Sequence, residues 1–340
     1  MAVHVQSTPQ VAHTPNPPGH ASSQQSEHRE APLQRTNCGS HVDPKMVDWL
    51  NSTSKDTPLS EMRALYARNG YLWVKNVIPR SDVLDMREKY FSTIAPTGLL
   101  APGTSPCDGI FNAELDPNLH QGLGATPSVS AMGTLDEIHA SKEYRDFITH
   151  PELCHWVRQL MGWEKEVVLE RGLLRHNVPG SKCPSGIHYD QLFLRAGDPV
   201  FVTVWVPVGN CAADCGGLMY LEKSCELAER IEKRFEERQN KEGMPMEERI
   251  SAFNHHMGEF GHLSHNTETW AKEDGLGKRW LVADYEAGDV VFHSPWMIHS
   301  SSRNCDDTGK IRLSSDLRFY EDGAKLDERW TKTFYNGDRL

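Results

Sequence analysis

Two candidate metal ligands are separated by one residue in the segment Gly186-Ile187-His188-Tyr189-Asp190-Gln191. Side chains alternate between the two faces of an extended segment, so His188 and Asp190 should point the same way. An imidazole and a carboxylate on one face can bind a single metal ion from one side. Two ligands do not make a stable site, so a third is needed. We expect it to be His299, at the end of a predicted strand near the C-terminus.

His293 is the alternative third ligand, because it shares strand parity with His299. It stands immediately before Ser294-Pro295 and farther from the strand that carries Arg312. A packed structural histidine is therefore the favoured interpretation of His293.

The predicted strand from Ile311 to Tyr320 has one apolar and one polar face. Such a strand is either solvated on its polar side or lines a wet cavity, and the second alternative suits a sheet structure with a ligand inside. An antiparallel return from the His299 strand would bring Arg312 close to the metal. We interpret Asp316 and Arg318, also on the polar face, as a structural pair, with a substrate contact as the alternative.

Two histidines and one carboxylate on one face of a metal suit Fe(II) and leave positions for a chelating co-substrate and O2. A 2-oxo diacid would need a fixed cation for its far carboxylate. Arg312 suits that role because a planar guanidinium binds a carboxylate through two hydrogen bonds. Ser301 could add a hydroxyl group. A zinc hydrolase could use the same three ligands, but it would have no use for Arg312.

The elements that must position these residues follow in order along the chain. Residues 1–42 are rich in proline and histidine and nearly free of aromatics, which predicts a disordered tail. The ordered domain is then 43–340. Helices are expected from Pro58 to Asn69, from Pro79 to about Ile94, and over 141–161.

Short strands are predicted from Glu166 onward. In the run from Val200 to Val208 one face is valine, and the other carries Thr203 and Trp205. A charged helix from Ser224 begins a helical insertion at about 224–280. Helices followed by many short strands predict an antiparallel sandwich or barrel with helices outside. We expect the irregular stretch 97–133 to form part of a substrate-entry rim, with a plain surface loop as a nearly equal alternative.

The composition excludes several kinds of partner. A net charge of −11 without a basic run argues against nucleic acid. The chain contains no apolar run near the roughly 18 residues of a membrane span, and its first residues lack a secretory pattern. We therefore expect a cytoplasmic protein with a small-molecule substrate, and nothing supports a peroxisomal address. The scattered cysteines predict reduced thiols, and ordinary thiols are favoured over a zinc site at Cys211 and Cys215.

Several of these pieces, in this order, resemble the phytanoyl-CoA dioxygenase-like family of Fe(II)/2-oxoglutarate oxygenases. The resemblance covers about residues 55–322. The matching segments are Arg68-Asn69-Gly70-Tyr71-Leu72-Trp73-Val74, His188-Tyr189-Asp190, Trp205-Val206-Pro207-Val208 with Gly216-Gly217-Leu218, Gly288-Asp289-Val290-Val291-Phe292-His293, His299-Ser300-Ser301, and Arg312 with Phe319.

The resemblance implies a double-stranded β-helix (jelly-roll, cupin-like) core that is mostly β with flanking helices. It implies His188, Asp190 and His299 as iron ligands, Arg312 as the 2-oxoglutarate anchor and Ser301 as its helper. Trp205 would pack against the co-substrate, and we place Thr203, on the same strand face, beside it. His176 and Asn177 are weaker candidates for contact with co-substrate or substrate.

The expected activity is hydroxylation, or another oxidation, of an unactivated C–H bond of a small organic molecule, with succinate and CO2 as co-products. One departure from the family pattern, Glu222-Lys223-Ser224-Cys225 in place of Pro-Gly-Ser-His, weakens transfer of an acyl-CoA substrate and favours specialised metabolism. The alternatives are an acyl-CoA hydroxylase of lipid catabolism and a non-catalytic jelly-roll protein that binds a ligand.

Overall fold

The strands lie in two open sheets, one of four strands and one of seven. In the computed structural model the described residues are 42–120, 122–123, 129–182, 185–256 and 261–334. They belong to one compact unit, residues 31–340. The predicted tail, apart from Val42, lies outside the described residues.

The four-stranded sheet has the order β1-β8-β7-β10, and the seven-stranded sheet has the order β2-β3-β9-β6-β11-β4, with β5 also paired to β11. The strands are β1 Val47–Trp49, β2 Ser52–Thr53, β3 Tyr71–Val74, β4 Glu166–Val168, β5 Leu173–Asn177, β6 Val202–Pro207, β7 Leu218–Leu221, β8 Trp280–Val282, β9 Val290–His293, β10 His299–Ser301 and β11 Arg312–Glu321. Two sheets with helices outside confirm the predicted double-stranded β-helix class.

Helices cover the seven-stranded sheet. The valines at positions 202, 204, 206 and 208 share one buried cluster with Tyr90, Phe147 and Val157, which belong to three different helices. The predicted valine face therefore packs against helices, and the opposite face of β6 is turned towards the space between the sheets. The helices are α1 Leu59–Asn69, α2 Arg80–Ile94, α3 Val129–Ala140, α4 Lys142–Ile148, α5 Pro151–Met161, α6 Cys225–Glu242, α7 Met246–Arg249 and α8 Thr267–Glu273.

The helix predicted over 141–161 is two helices in the structure. Pro151 disfavours helical geometry at the preceding residue, and His150 has an extended backbone with φ −54° and ψ 131°. The His150 side chain instead accepts a hydrogen bond from the Glu152 amide and so caps α5. Helix α3 also begins inside the stretch that was predicted to be irregular.

The last two strands do not form the predicted hairpin. Strand β10 pairs with β7 of the four-stranded sheet, whereas β11 pairs with β6 and β5 of the seven-stranded sheet. The chain therefore crosses from one sheet to the other between His299 and Arg312. Both residues still face the interior because the two sheets lie on either side of it.

Candidate metal centre

The structure brings His188, Asp190 and His299 together, with ligand atoms that all lie within 4.8 Å of one another. His188 and His299 exchange backbone hydrogen bonds of 3.0 and 2.9 Å, which fix the two imidazoles side by side. Tyr189 is extended, with φ −127° and ψ 148°, and Asp190 then begins a short 3₁₀ turn. This backbone path returns the carboxylate to the same side as the His188 ring.

Both imidazoles are oriented through their Nδ1 atoms. Nδ1 of His188 lies 2.8 Å from the Gly186 carbonyl oxygen, and Nδ1 of His299 lies 2.9 Å from the Met297 carbonyl oxygen. A carbonyl can only accept, so Nδ1 carries the proton and Nε2 presents its lone pair, as a metal ligand must. Burial lowers the pKa of His299 to about 4 and lowers the pKa of His188 well below its usual range. Both rings are therefore neutral at neutral pH.

Three donors hold the Asp190 carboxylate. Thr203 donates its hydroxyl to Oδ2 at 2.5 Å, His293 Nε2 lies 3.1 Å from the same oxygen, and Arg318 donates to Oδ1 at 2.9 Å. Burial alone would raise the pKa of Asp190, but the Arg318 charge and the His293 hydrogen bond hold it well below its usual range. The carboxylate is therefore ionised, and Oδ1 keeps lone-pair capacity for a metal.

These contacts bear on three of the sequence predictions, and the favoured interpretation of His293 as a packed histidine agrees with them. The Thr203 hydroxyl is committed to Asp190, so it supports a candidate ligand rather than contacting a co-substrate. His293 is fully buried between Asp190 and the Tyr220 hydroxyl, 3.1 Å from each, and lies outside the ligand cluster. Arg318 does not form the expected side-chain pair with Asp316, whose carboxylate lies 3.6 Å from Arg175 Nε.

Arg312 is buried where the polar face of β11 begins. Its Nε donates to the Gly216 carbonyl at 2.7 Å and its Nη1 donates to the Ser314 hydroxyl at 2.6 Å. Its Nη2 has no hydrogen-bond partner among the described residues. Ser301 stands opposite Leu218 in β7, two residues beyond Gly216, so Ser301 and Arg312 reach the same end of that strand.

Trp205 is fully buried, and its ring lies edge-on to Tyr285 at 4.6 Å between centroids. It stands opposite Asp316 in β11, on the inner face of the sheet. His176 and Asn177 are also buried. The His176 ring nitrogens lie 2.6 Å from the Tyr90 hydroxyl and 3.0 Å from the His120 carbonyl, so both have partners within the protein.

The donor set fits a divalent iron ion. Two neutral imidazole Nε2 atoms and one ionised carboxylate converge from one side, which is the facial arrangement that non-haem Fe(II) takes. Each ligand is oriented by its own hydrogen bond, as metal-binding histidines and carboxylates commonly are.

Two other groups of potential metal ligands lie apart from this centre. Glu242, His255 and His256 form a second cluster in the described part of the chain. Its histidine Nε2 atoms lie 3.3 and 2.7 Å from the Glu242 carboxylate. Cys211 and Cys215 belong to no ligand cluster among the described residues, and the Cys211 thiol lies 3.5 Å from the Cys215 carbonyl.

A cavity opens beside His188 and contains residues that the sequence analysis did not single out as site residues. Arg171, Arg175 and His262 line it. Alternation along β5 carried a usable signal, because Leu173 and Arg175 share parity and pair with Asp316 and Ser314 of the polar β11 face. His262 carried no such signal, since it lies in the helical insertion predicted at about 224–280.

No helix in the described residues has the length and apolarity needed to cross a membrane. A sequence profile described as phytanoyl-CoA dioxygenase (PhyH) matches residues 66–312. The chain is also 24% identical over 285 residues to 1-deoxypentalenic acid 11-beta-hydroxylase from Streptomyces arenae, which covers 80% of this chain and 86% of the relative.

Two solved structures share the fold. The non-heme alpha ketoglutarate dependent carbocyclase SnoK from nogalamycin biosynthesis is 16% identical, with 82% of this chain and 89% of that chain covered and a TM-score of 0.50. EctD from S. alaskensis is 15% identical, with 86% and 88% covered and a TM-score of 0.50. At these identities the likeness establishes the architecture of the chain.

Proposed function

This chain belongs to the phytanoyl-CoA dioxygenase family and is a 2-oxoglutarate-dependent oxygenase, and we propose that it hydroxylates, or otherwise oxidises, an unactivated C–H bond of a small organic molecule. His188, Asp190 and His299 would hold Fe(II), and Arg312 would bind the far carboxylate of 2-oxoglutarate. When bound, the iron supplies the redox chemistry that couples reduction of O2 and oxidative decarboxylation of 2-oxoglutarate to oxidation of the substrate. Succinate and CO2 are the co-products. Residues 43–340 would form the catalytic domain.

The observation that carries this proposal is the orientation of the three ligands within 4.8 Å. Both imidazoles have Nδ1 committed to carbonyl groups, so Nε2 is the atom left to bind metal. Asp190 is fixed by donors from three strands of the seven-stranded sheet, while His299 belongs to the other sheet. The fold therefore prepares the site before any ion arrives, and such support typically contributes about 10- to 100-fold in metal affinity.

Arg312 supports 2-oxoglutarate as the co-substrate. Hydrogen bonds from Nε and Nη1 fix its guanidinium plane, which leaves Nη2 as a donor. Burial lowers the pKa of Arg312, but an arginine remains a cation at neutral pH. A dicarboxylate would supply the anion that this buried cation lacks, and the Ser301 hydroxyl could add a hydrogen bond.

The Asp190 carboxylate favours hydroxylation over halogenation, and two further features favour specialised small-molecule metabolism over acyl-CoA catabolism. The carboxylate of Asp190 occupies the position that a halogenating site would leave open for halide. The Streptomyces arenae relative is named as a hydroxylase of 1-deoxypentalenic acid. In this chain Phe253 and His262, both from the insertion, line the cavity beside His188. An insertion that forms part of the substrate wall supports a substrate particular to this protein.

The test is iron and 2-oxoglutarate binding under anaerobic conditions, followed by succinate formation when O2 is admitted. We expect one Fe(II) per chain, a visible charge-transfer band on adding 2-oxoglutarate, and slow succinate release. His188→Ala should abolish all three, while His255→Ala, which removes an exposed histidine, should change none. Wild-type protein that binds no 2-oxoglutarate, or that hydrolyses esters with Zn(II) instead, would overturn the proposal.

A further inference from the structure

We propose that the cavity beside His188 binds its substrate as an organic acid, with the carboxylate held by arginines and an apolar body packed against the aliphatic and aromatic side chains of the lining. This inference rests on the proposed function, because it names the class of molecule that the same centre oxidises. The cavity contains about 680 Å³ of space between atoms, part of it open to solvent.

The lining of the cavity combines charged and apolar side chains. Arg171, Arg175 and Arg318 line one part, and His188 and His262 lie at the metal end. The remaining lining is apolar or aromatic, and consists of Leu123, Leu173, Phe193, Phe253, Trp330 and Phe334. A ligand that satisfies both parts has one anionic group and a substantial hydrocarbon or ring body.

Arg175 and Arg318 each have a buried Nε–H group without a hydrogen-bond partner among the described residues. Arg318 donates to Asp190, which a bound metal would also share. The Nε of Arg175 lies 3.6 Å from the Asp316 carboxylate, too far for a hydrogen bond. A buried donor of a charged group that makes no hydrogen bond costs free energy. A ligand carboxylate that accepted hydrogen bonds from these Nε atoms would remove that cost.

The charge balance points the same way. Among the described residues, Arg171, Arg175, Arg312 and Arg318 with a divalent ion outweigh Asp190, Asp316 and a 2-oxoglutarate dianion by two positive charges. Two acids near these residues in sequence are engaged elsewhere, since Glu170 lies 3.4 Å from Arg145 and Asp327 lies 2.6 Å from Arg329. A substrate carboxylate would reduce this excess of positive charge. An alcohol or amine of the same shape would not.

Binding to the Fe(II)·2-oxoglutarate form without O2 tests this directly. The probes are two matched pairs, adamantane-1-carboxylate with 1-adamantanemethanol and 2-naphthoate with 2-naphthalenemethanol, each titrated by calorimetry. We expect at least one acid to bind about 10-fold or more tightly than its alcohol, the value of one charge-assisted hydrogen bond pair. If neither acid is preferred, the proposal is overturned on the wild-type protein alone.

Arg175→Gln should reduce the acid's affinity to that of its alcohol and leave 2-oxoglutarate affinity unchanged. Arg145→Gln is the matched control, because that arginine side chain is 56% exposed, and it should change neither affinity. If Arg175→Gln weakens 2-oxoglutarate binding instead, Arg175 anchors the co-substrate and the assignment is wrong. Failure of the proposed function would differ, because wild-type protein would then bind no 2-oxoglutarate at all.

Discussion

At the scale of single residues, Asp190 connects the segment that carries His188 to three strands of the seven-stranded sheet. It lies two residues from His188, yet its oxygens receive hydrogen bonds from Thr203 on β6, His293 on β9 and Arg318 on β11. These donors fix both the orientation and the ionisation of the carboxylate. Iron affinity should therefore depend on residues that never touch the metal.

We expect Thr203→Val to weaken Fe(II) binding about 10-fold, because the isosteric change removes one donor from Asp190 while keeping its shape. Competition with a coloured chelator measures this affinity. Thr149→Val, at an exposed position, should leave the affinity at the wild-type value. If the Thr203→Val variant binds Fe(II) as tightly as wild type, the other two donors suffice to orient the Asp190 carboxylate.

We expect Arg312→Lys to raise the KM for 2-oxoglutarate about 10- to 100-fold, because an ammonium group keeps the charge but loses the planar fork. Steady-state succinate formation at varied 2-oxoglutarate measures the change. Fe(II) affinity should stay constant in the same variant. Arg303→Lys, whose guanidinium bonds to the Ser181 carbonyl, serves as the control, and an equal rise in KM there would remove the specific role of Arg312.

At the scale of elements, helix α6 of the insertion supports the segment that carries the candidate ligands. Tyr189, between the two ligands, donates its hydroxyl to Glu232 of α6. Arg195 makes two hydrogen bonds to the same carboxylate, at 2.6 and 2.8 Å. Tyr189 thus points away from the metal side, as strand alternation predicts, and ties the segment to the helix.

We expect Glu232→Ala to lower the free energy of unfolding by about 3 kcal/mol, because it removes the carboxylate that accepts hydrogen bonds from the buried Arg195 guanidinium and the Tyr189 hydroxyl. Urea unfolding followed by circular dichroism measures the loss. The control is Glu229→Ala, on the exposed side of the same helix, which should change stability by less than about 0.5 kcal/mol. Equal effects of the two substitutions would indicate that helix propensity dominates.

At the scale of the whole molecule, α3 is joined to β5 by a buried neutral histidine. His139 Nδ1 lies 2.7 Å from the Leu135 carbonyl, and its Nε2 accepts a hydrogen bond from the Leu174 amide at 2.9 Å. Protonation of Nε2 would break the second bond. Burial lowers the pKa of His139 to about 4.

Because the pKa of His139 is lowered in the folded chain, the free energy of unfolding decreases as the pH falls. Above pH 6.5 the ring is neutral in both folded and unfolded chains, and between pH 6.5 and about 4 the unfolded chain binds the proton first. The free energy of unfolding of the wild-type protein should fall by up to about 3 kcal/mol over that pH interval because of His139. Urea unfolding of metal-free protein at several pH values should give a smaller loss for His139→Gln. Parallel slopes for wild type and His139→Gln would exclude the effect.

Local periodicity and residue chemistry were enough to predict much of this protein. Alternation identified the valine face of β6, the polar face of β11 and the common direction of His188 and Asp190. Family membership follows from ordered motifs, and the sheet-with-helices class from the order of elements. These features depend on residues close together in the chain, so a single sequence contains them.

Which strands become neighbours was decided by the tertiary structure. Packing between the sheets places β11 beside β5 and β6 rather than beside β10. It also makes Asp190, rather than Asp316, the side-chain carboxylate to which Arg318 donates. Arg175 and His262 come to line one cavity for the same reason. Side-chain period determines which face a residue occupies, but it carries no information on the strand or loop that this face will meet. The ligand-bearing segment was therefore recognisable in the sequence, whereas its supporting donors and the arginines beside it depend on long-range packing.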